Sequence, residues 1–496
     1  MDQVPSLNGR NLPLFTDLYE LTMAQVYWEN GMADWESAFH YFYRTIPSGG
    51  GYAIACGLQP LVEFLVGLSF DASSIDYLAT IPGTDSKPIF KTGFLDWLRN
   101  VRFDCDVDAV PEGTIVFPYE PIIRVKGGLL IAQIIETAVL NFCNYASAVA
   151  TQASRICWAA GGAPVYDFSA RRAPGPDGSL TTTRSAYIAG FAGTSSIWAA
   201  RQAGIRPEDI KGTMAHSLVM SFDSEPAAFL AYGNAFPNNS LFLVDTYGTM
   251  EGVRNAIEAG RRLRAAGHDL LGIRLDSGDL ARLSKRARQM LDEAGFQGAA
   301  IFASNDLNEM LIQSLRVQGA QIAIWGVGTK LVVGPLGGVY KLSGIRKPGA
   351  NWEPRIKLSD QMAKISVPGV LGVKRYRRAT GSVADAIYDL SAGPAEPSRM
   401  ISMWDQTKQM NLPPAGAVGT DLLVPIMRRG ALVYDLPTLG QIRDHCTQEL
   451  RSMPDGIKRF ENPDEYKVGL EASLHALRQK LIARGRETID WGQDLI

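Results

Sequence analysis

The stretch LGIRLDSGDLARLSKRARQMLDEAGFQGAAIFASN, residues 271–305, decides the fold of this chain. It begins with an apolar run, continues as an amphipathic helix over 279–294, and returns to an apolar run after Gly295. A glycine just past a helix adopts the left-handed conformation that ends the helix, so the whole stretch is one strand–helix–strand unit. It predicts two parallel strands joined by a right-handed helical crossover.

The same unit recurs on both sides of this stretch. Apolar runs start at 241, 271, 299 and 321, so successive starts are 30, 28 and 22 residues apart. Further helices are predicted over 249–266 and 306–317, the second opened by Asp306 and Glu309 as a capping box. Upstream, Ala163–Phe168 and Ala186–Phe191 are predicted as two more strands. At least six such units favour an α/β barrel over an open sheet.

The flanking regions follow other patterns. Residues 1–160 predict an N-terminal α+β domain with a helix over 16–29, capped by Thr16, and a long helix over 129–160. Residues 161–340 form the predicted barrel, which carries the active-site rim. Residues 341–496 are expected to return to the β-rich domain and end in helices. Within them, the basic run Lys374–Arg378 is expected to be a solvated edge strand.

Composition narrows the function class. The chain has 496 residues, 46% of them hydrophobic, and a net charge of 49 − 51 = −2. This balance gives no electrostatic basis for non-specific nucleic-acid binding. Five scattered cysteines without a C-x-x-C pair argue against a disulfide framework and a cysteine zinc site. No secretory signal is recognised and the 129–160 helix is interrupted by polar residues, so no membrane span and a cytoplasmic location are expected.

Chemistry in a parallel α/β fold lies at the carboxyl ends of the strands, and several polar residues follow the predicted strands here. Arg274 lies in one strand, and Asp276 and Asp279 flank the Ser-Gly turn after it. Two carboxylates suit a Mg²⁺ that bridges phosphates, or the hydroxyls of a ribose. Asp279 would also serve as the N-cap of the next helix.

Small-residue turns follow other strands. Gly193–Ser195 and Gly326–Thr329 would expose backbone N–H groups that bind phosphate, although each turn alone could be a plain tight turn. His216 follows a Gly-Thr turn between strands, where a structural and a functional role are about equally supported. The alternating Asp104, Asp106 and Asp108 are expected on the solvent face of a strand rather than in a calcium loop. Walker, Rossmann and H-E-x-x-H motifs are absent from the sequence.

In their joint order, eight segments resemble those of the nicotinate phosphoribosyltransferase family: Phe15–Met23, Pro111–Gly113, Phe117–Pro121, Asp167–Ala173, Gly193–Ser195, Gly212–Ser217, Arg274–Asp279 and Glu465–Val468. The resemblance implies an irregular α/β barrel with a second, β-rich sandwich-like domain built from the N-terminal and later chain. It implies an enzyme that joins nicotinate to 5-phosphoribosyl 1-pyrophosphate and releases nicotinate mononucleotide and pyrophosphate. ATP hydrolysis would be coupled through phosphorylated His216, and a homodimer would share its active sites between subunits.

The resemblance also assigns roles. Phe168 and Tyr19, the latter from the other subunit, would sandwich the pyridine ring in a substrate site that includes Asp17. Arg171 would bind the nicotinate carboxylate. Arg274, Asp276 and Asp279, with Mg²⁺, would neutralise pyrophosphate and orient the ribose, the direct metal ligands remaining unassigned. The 5′-phosphate would bind at the following residues: Ser304, Asn305, Gly326, Gly328 and Thr329.

Ser195 bears on the choice of substrate. Relatives that use nicotinamide are similar here but place an acidic residue at this position, which would repel the carboxylate of nicotinate. Two departures from the family are Ser196, where many members have Asn, and Val370, where a Pro-Gly-Lys stretch is usual. The alternatives are a nicotinamide-specific or a quinolinate phosphoribosyltransferase, a barrel isomerase or aldolase acting on a sugar phosphate through Lys330, and a non-catalytic scaffold.

Overall fold

The computed structural model describes residues 12–46, 49–393 and 396–487. Their contacts divide the chain into two compact units. The first is discontinuous: it runs to Ala148 and resumes at Pro335, whereas the second is Val149–Gly334. The domain borders expected at 160 and 340 stay a prediction.

The N-terminal part of the discontinuous unit alternates helices and strands. Helix α1 begins after Asp17, one residue later than the predicted cap Thr16, whose hydroxyl donates instead to the carbonyl of Ile134 at 2.9 Å. The elements in order are α1 Leu18–Glu29, β1 Glu36–Tyr43, β2 Ala53–Ile54, α2 Leu58–Gly67, α3 Ala72–Ala79, α4 Thr92–Asn100, β3 Asp106–Ala109, β4 Ile115–Val116, β5 Ile123–Gly128 and α5 Leu129–Ile134.

The long helix predicted over 129–160 is split at Ile135 into α5 and α6, Glu136–Ala160. By length and composition alone, Leu129–Ala160 is long and apolar enough to cross a bilayer. The polar residues within it therefore do not exclude a membrane span, contrary to the prediction. In the structure, 67% of its most apolar window is buried inside the protein, as in the core helix of a globular fold.

The second unit is built on a six-stranded parallel sheet. Its strand order is β7-β6-β11-β10-β9-β8: β6 pairs with both β7 and β11, and β8 to β11 pair in the order of the sequence. This is the order of a barrel interrupted between β7 and β8, where Thr194 bridges to Ile210 in parallel. The elements are β6 Val165–Asp167, α7 Gly175–Ile188, β7 Gly193–Thr194, α8 Ile197–Ala203, α9 His216–Met220, α10 Glu225–Ala235, β8 Leu241–Leu243, α11 Thr249–Ala265, β9 Gly272–Leu275, α12 Leu280–Glu293, β10 Ala300–Ala303, α13 Glu309–Val317 and β11 Ile324–Val327.

Three details of the predicted barrel are wrong. Ala186–Phe191 is no strand, because its apolar residues are the end of helix α7; the strand comes two residues later. The last strand was predicted over 321–324 but spans Ile324–Val327, so its carboxyl end lies three residues later than expected. Helix α13 is capped by Asn308, whose side chain accepts from the N–H of Leu311, and not by Asp306.

After Pro335 the discontinuous unit contributes strands to two further sheets. A seven-stranded sheet has the order β13-β12-β1-β5-β3-β19-β20, and a six-stranded sheet has the order β17-β16-β21-β15-β14-β18. Both combine strands that are distant in sequence. The elements are β12 Gly338–Arg346, β13 Glu353–Pro354, β14 Leu371–Arg378, β15 Gly381–Asp389, β16 Arg399–Ile401, β17 Gln409–Asn411, β18 Val418–Asp421, β19 Val424–Arg428, β20 Ala431–Leu432, α14 Leu439–Ser452, β21 Val468–Glu471 and α15 Ala472–Arg486.

The prediction that Lys374–Arg378 is a solvated edge strand is wrong. Strand β14 lies between β15 and β18, and Arg375 is completely buried. Its guanidinium donates to both oxygens of Asp385 and, at 2.8 Å, to Glu449. The expectation that Asp108 lies on the solvent face of its strand is also wrong, because Asp108 is buried and paired with Arg124 at 2.9 Å. Arg375 and Asp108 are therefore core residues with charged partners.

Buried His40 joins the two large sheets. The N–H of Leu371, the first residue of β14, donates to Nε2 of His40 at 3.0 Å, and Nδ1 lies 2.7 Å from the hydroxyl of Ser343 on β12. Nε2 is therefore the unprotonated nitrogen, and the ring is neutral. Burial, with the charge of Arg124 as a smaller cause, lowers the pKa of His40 to about 3.

This pKa predicts a loss of stability in mild acid. Unfolded His40 takes up a proton below about pH 6.5 while the folded ring stays neutral down to about pH 3. The free energy of unfolding should therefore fall by up to about 1.4 kcal/mol per pH unit in that window. His40→Gln should remove this contribution, and urea unfolding of both proteins between pH 7 and pH 5 measures it. His268→Gln, at a surface histidine, is the control, and equal pH slopes for wild type and His40→Gln would contradict the assignment.

Candidate active site

The carboxyl ends of the six parallel strands carry most of the predicted site residues of the second unit. Phe168 follows β6, Ser195 follows β7, Asp276 follows β9, Ser304 follows β10 and Gly328 follows β11. Strand geometry thus places them at one edge of the sheet, where α/β folds hold their ligands.

Asp167, the last residue of β6, organises the first part of this edge. It is buried, and its carboxylate accepts hydrogen bonds from the N–H and hydroxyl of Ser169 and from the hydroxyls of Thr183 and Thr194, at 2.5–2.8 Å. These bonds tie the end of β6 to helix α7 and strand β7. No role was predicted for Asp167, because its hydrogen-bond partners lie up to 27 residues away in the sequence.

Ser195 and Arg171 lie in the segments that the hydrogen bonds of Asp167 hold in place. The N–H and hydroxyl of Ser195 donate to the carbonyl of Asp167 at 2.9 and 3.3 Å, and its side chain is exposed at the edge. Arg171 is also exposed. A hydroxyl and a guanidinium are therefore accessible in the segments that follow β7 and β6.

The ring of Phe168 is held by Phe302 of β10. The two rings are parallel within 5°, and their centroids are 5.6 Å apart. Gly326 makes room for them, because a Cβ there would come within 2.7 Å of both rings. Gly326 was predicted in a phosphate-binding turn, but it lies within strand β11. Its missing side chain is what the aromatic pair requires.

His216 begins the short helix α9, and two neighbours contact its ring. Nδ1 lies 3.1 Å from the hydroxyl of Thr246, and Nε2 lies 3.8 Å from a carboxylate oxygen of Asp276. The hydroxyl of Ser304 donates to the other oxygen of Asp276. The structure thus brings His216, Asp276 and Ser304 together from three separate segments, with Thr246 as a fourth member that the sequence analysis did not select.

Arg274 and Asp245 keep polar atoms without partners at this edge. Nη1 of Arg274 donates to the hydroxyl of Thr213 at 2.7 Å, while its buried Nε has no partner among the residues that the structure describes. Asp245 accepts from the N–H of Asp276 and the hydroxyl of Ser277 through Oδ2, while its buried Oδ1 has none. Burial lowers the pKa of Arg274, as does the positive charge of Arg171 in smaller measure, against the opposing effect of the carboxylates. Both unpartnered atoms are shielded from solvent, so a ligand would reach them only after neighbouring groups move.

The remaining predicted residues occupy different settings. Asp279 caps helix α12 by accepting from the N–H of Arg282 at 3.0 Å, and its side chain is exposed. Asn305 has a positive φ of 107°, a conformation that turns the chain sharply after β10. Thr329 begins a three-residue 3₁₀ helix rather than an α-helix, so no α-helical N-terminus is available there.

Comparison with known proteins decides the family. The model of the nicotinate phosphoribosyltransferase N-terminal domain matches residues 14–144, and that of the C-terminal domain matches residues 373–478. The nicotinate phosphoribosyltransferase of Mycobacterium tuberculosis is 40% identical over 454 residues, 90% of this chain and 89% of the relative. The chain belongs to the nicotinate phosphoribosyltransferase family. The Bacillus subtilis member is 36% identical and covers 97% of both chains.

Solved structures agree with this family. The crystal structure of human nicotinic acid phosphoribosyltransferase matches with a TM-score of 0.81 and 28% identity, and covers 94% of this chain and 99% of its own. A nicotinate-nucleotide pyrophosphorylase from Pyrococcus furiosus shares the fold, with a TM-score of 0.69 and 21% identity. The predicted fold class, an irregular α/β barrel with a second, β-rich domain, is confirmed.

Two residues selected through the nicotinate phosphoribosyltransferase resemblance lie in the discontinuous unit. Asp17 is the residue before helix α1, and one of its carboxylate oxygens accepts from the hydroxyl of Thr137 at 3.0 Å. Tyr19 is on the first turn of α1 with 47% of its surface exposed. Burial, together with the charges of Glu136, Glu20 and Asp17, raises the pKa of the Tyr19 phenol. Tyr19 is therefore neutral, with an accessible ring.

Gly326→Ala tests whether the strand glycine positions Phe168. The added methyl group would displace one of the two rings, and overpacking of this kind costs about 1–3 kcal/mol of stability. We expect Gly326→Ala to lower the unfolding midpoint of this protein and to raise its KM for the pyridine substrate. Gly334→Ala is the control, since no atom lies within 4 Å of its added methyl group. Equal KM values for the two variants would show that Gly326 does not position the ring.

Proposed function

We propose that this chain transfers the phosphoribosyl group of 5-phosphoribosyl 1-pyrophosphate to nicotinate. The pyridine nitrogen forms a bond to the anomeric carbon, the bond from that carbon to pyrophosphate oxygen breaks, and pyrophosphate leaves with the electron pair. The observation that supports this most is the grouping of Phe168, Arg171 and Ser195 on one rim, in a chain of this family. An aromatic face, a guanidinium and a hydroxyl match a ring that carries a carboxylate.

The chemistry requires positioning rather than a protein nucleophile. The ring of Phe168 lies against the pyridine and stabilises the positive charge that develops on it. Arg274, with its unpartnered Nε, and Arg171 supply positive charge for anionic groups of the two substrates. Asp276 orients ribose hydroxyls, and the turn after β10, at Ser304 and Asn305, together with the turn at Gly328 and Thr329, binds the 5′-phosphate.

Mg²⁺ would arrive with the substrate pyrophosphate. Among residues 12–46, 49–393 and 396–487, no group of three or more His, Cys, Asp or Glu side chains could hold a metal. Mg²⁺ often needs only one or two protein carboxylates when phosphates and water complete its shell. Asp276, whose side chain is 35% exposed, fits that role. Bound there, the metal would neutralise the leaving pyrophosphate.

We further propose that ATP hydrolysis is coupled through His216. An imidazole nitrogen would accept the γ-phosphoryl group as its bond to ADP breaks, and water would later release phosphate. The carboxylate of Asp276, 3.8 Å from Nε2, stabilises a positive imidazole, and Thr246 fixes the ring from the other side.

The cytoplasmic location expected for this protein remains a prediction.

One assay tests the reaction. The purified protein with Mg²⁺ and 5-phosphoribosyl 1-pyrophosphate is given nicotinate, nicotinamide or quinolinate, each with and without ATP, and products are separated by chromatography. Nicotinate mononucleotide, increased by ATP, is the expected product. Product from nicotinamide alone would refute the interpretation of Ser195, and no product with any acceptor would refute the proposed reaction.

Arg171→Ala should raise the KM for nicotinate at least tenfold, because the paired N–H bonds to its carboxylate are lost. The KM for 5-phosphoribosyl 1-pyrophosphate should change less. Arg172→Ala is a matched control, since the neighbouring side chain is equally exposed. If both variants behave alike in steady-state kinetics, Arg171 does not bind the carboxylate.

His216→Ala should abolish the stimulation by ATP and leave slow turnover without ATP, since the transfer itself uses no histidine. Rates at saturating nicotinate, with and without ATP, measure this. His268→Ala, which changes a surface histidine of the same unit, should keep the stimulation. Stimulation that survives in His216→Ala would place the phosphoryl group on another residue.

We propose a homodimer in which Tyr19 of one subunit completes the substrate site of the other. The exposed ring of Tyr19 supports this, because a large aromatic side chain on the first turn of a helix is suited to a partner surface. Tyr19→Ala and His216→Ala, each impaired alone, should regain ATP-stimulated activity when unfolded and refolded together. Without recovery in the mixture, both residues act within one subunit.

A further inference from the structure

The loop of residues 211–215 leads directly into helix α9, whose first residue is His216. It has no regular secondary structure, yet it is anchored at two points. The N–H of Lys211 donates to the carbonyl of Thr194 at 3.0 Å, and the side chain of Met214 is buried in the core of the second unit. Thr213 lies between these two anchors and is half-buried. The position of this loop determines where helix α9 begins.

The hydroxyl of Thr213 takes part in two hydrogen bonds. It accepts from Nη1 of Arg274 at 2.7 Å and donates to the carbonyl of Met214 at 3.2 Å. Because an arginine can only donate, the hydroxyl is the acceptor in the first bond, which leaves its own proton for Met214. Hydrogen bonds from a charged donor are the stronger kind. The bond from Arg274 therefore fixes the direction of the guanidinium relative to the loop.

Two contacts join this loop and helix α9 to the end of strand β9. The first is the bond between Thr213 and Arg274, and the second brings Nε2 of His216 to 3.8 Å from a carboxylate oxygen of Asp276. Arg274 and Asp276 are two residues apart, the spacing that puts side chains on one face of a strand. Thr213 and His216 are three residues apart. Since both contacts join the same two short segments, a displacement at one reaches the other.

A phosphoryl group on His216 would act on this pair of contacts. It adds about 1.5–2 negative charges at neutral pH. The carboxylate of Asp276 lies beside the same ring, and like charges at such a distance repel each other. The ring and the carboxylate then move apart, and the loop that carries Thr213 moves with the ring. The guanidinium of Arg274 follows, because it is bound to the hydroxyl of that loop.

We propose that Thr213 is a positioning residue that couples the phosphoryl state of His216 to the binding of 5-phosphoribosyl 1-pyrophosphate by Arg274. This inference rests on the proposed function, in which His216 accepts the phosphoryl group and Arg274 supplies charge to the substrate anions. The hydroxyl carries the coupling. Serine, which keeps the hydroxyl, should therefore replace Thr213, whereas valine, which has nearly the same shape without it, should not.

The experiment compares Thr213→Val and Thr213→Ser with the wild type, each as the full chain with Mg²⁺ and nicotinate. The KM for 5-phosphoribosyl 1-pyrophosphate is measured with and without ATP, and so is the amount of ATP hydrolysed for each nicotinate mononucleotide formed. In the wild type, ATP should lower this KM. In Thr213→Val, hydrolysis of ATP should continue without lowering the KM, so the ATP consumed per mononucleotide should rise about threefold or more.

Three comparisons separate this role from a general effect on the fold. Thr213→Ser should keep the wild-type ratio of ATP consumed to mononucleotide formed. The KM for nicotinate should be the same in Thr213→Val as in the wild type, because the change acts through Arg274 and not at the pyridine ring. Thr181→Val, at a partly exposed threonine on α7 in the same unit, is the matched control and should behave as the wild type does.

Three results would overturn the coupling. ATP that lowers the KM as much in Thr213→Val as in the wild type would show that the hydroxyl transmits nothing. Loss of the effect in Thr213→Ser as well would assign the methyl group, and hence packing, to the role. ATP that stimulates the wild type without changing the KM for 5-phosphoribosyl 1-pyrophosphate would remove Arg274 from the path. The failure of the transferase proposal looks different, since the wild type would then form no mononucleotide at all.

Discussion

The carboxylate of Asp167 is the interaction on which the candidate active site depends. It ends strand β6 and receives four hydrogen bonds at 2.5–2.8 Å, from Ser169, Thr183 and Thr194. These bonds fix the loop that carries Phe168 and Arg171, and they hold β7 beside β6, which places Ser195. A buried carboxylate is stable only when its lone pairs are satisfied, so the same bonds that make Asp167 tolerable in the core also determine where the ligand-binding groups lie.

Much of this arrangement could be predicted from the sequence because it is local. The 22–30-residue spacing of apolar runs, with a glycine past each helix, predicted four strands of the parallel sheet, and polar residues after those strands predicted Asp276 and Ser304 at one edge. The failures are equally physical. A short apolar run such as Ala186–Phe191 has the same pattern at the end of a buried helix as in a strand. Gly326 was assigned to a turn because nothing local reveals that two aromatic rings meet above it.

Long-range partners explain why the basic strand was misjudged. Arg375 is buried because Asp385 and Glu449, 10 and 74 residues away, satisfy its guanidinium from two other elements. In the same cluster Glu120 is fully buried, and burial, together with the charge of Asp385, raises its pKa well above the usual range. A strongly charged run of sequence can therefore form a core strand when carboxylates meet it in the fold, which no periodicity shows.

The arginines of this chain fall into two groups by their partners. Arg375 has carboxylates on both sides of its guanidinium, and such a closed network leaves nothing for a ligand. Arg274, Arg44 and Arg478 are different: within the described part of the chain, each keeps at least one buried nitrogen without a partner. Burying an unpaired polar atom of a charged group lowers the stability of the fold, since a buried charge is stable only when it is paired. Because the unpaired nitrogens are also shielded from solvent, a ligand reaches them only after neighbouring groups move.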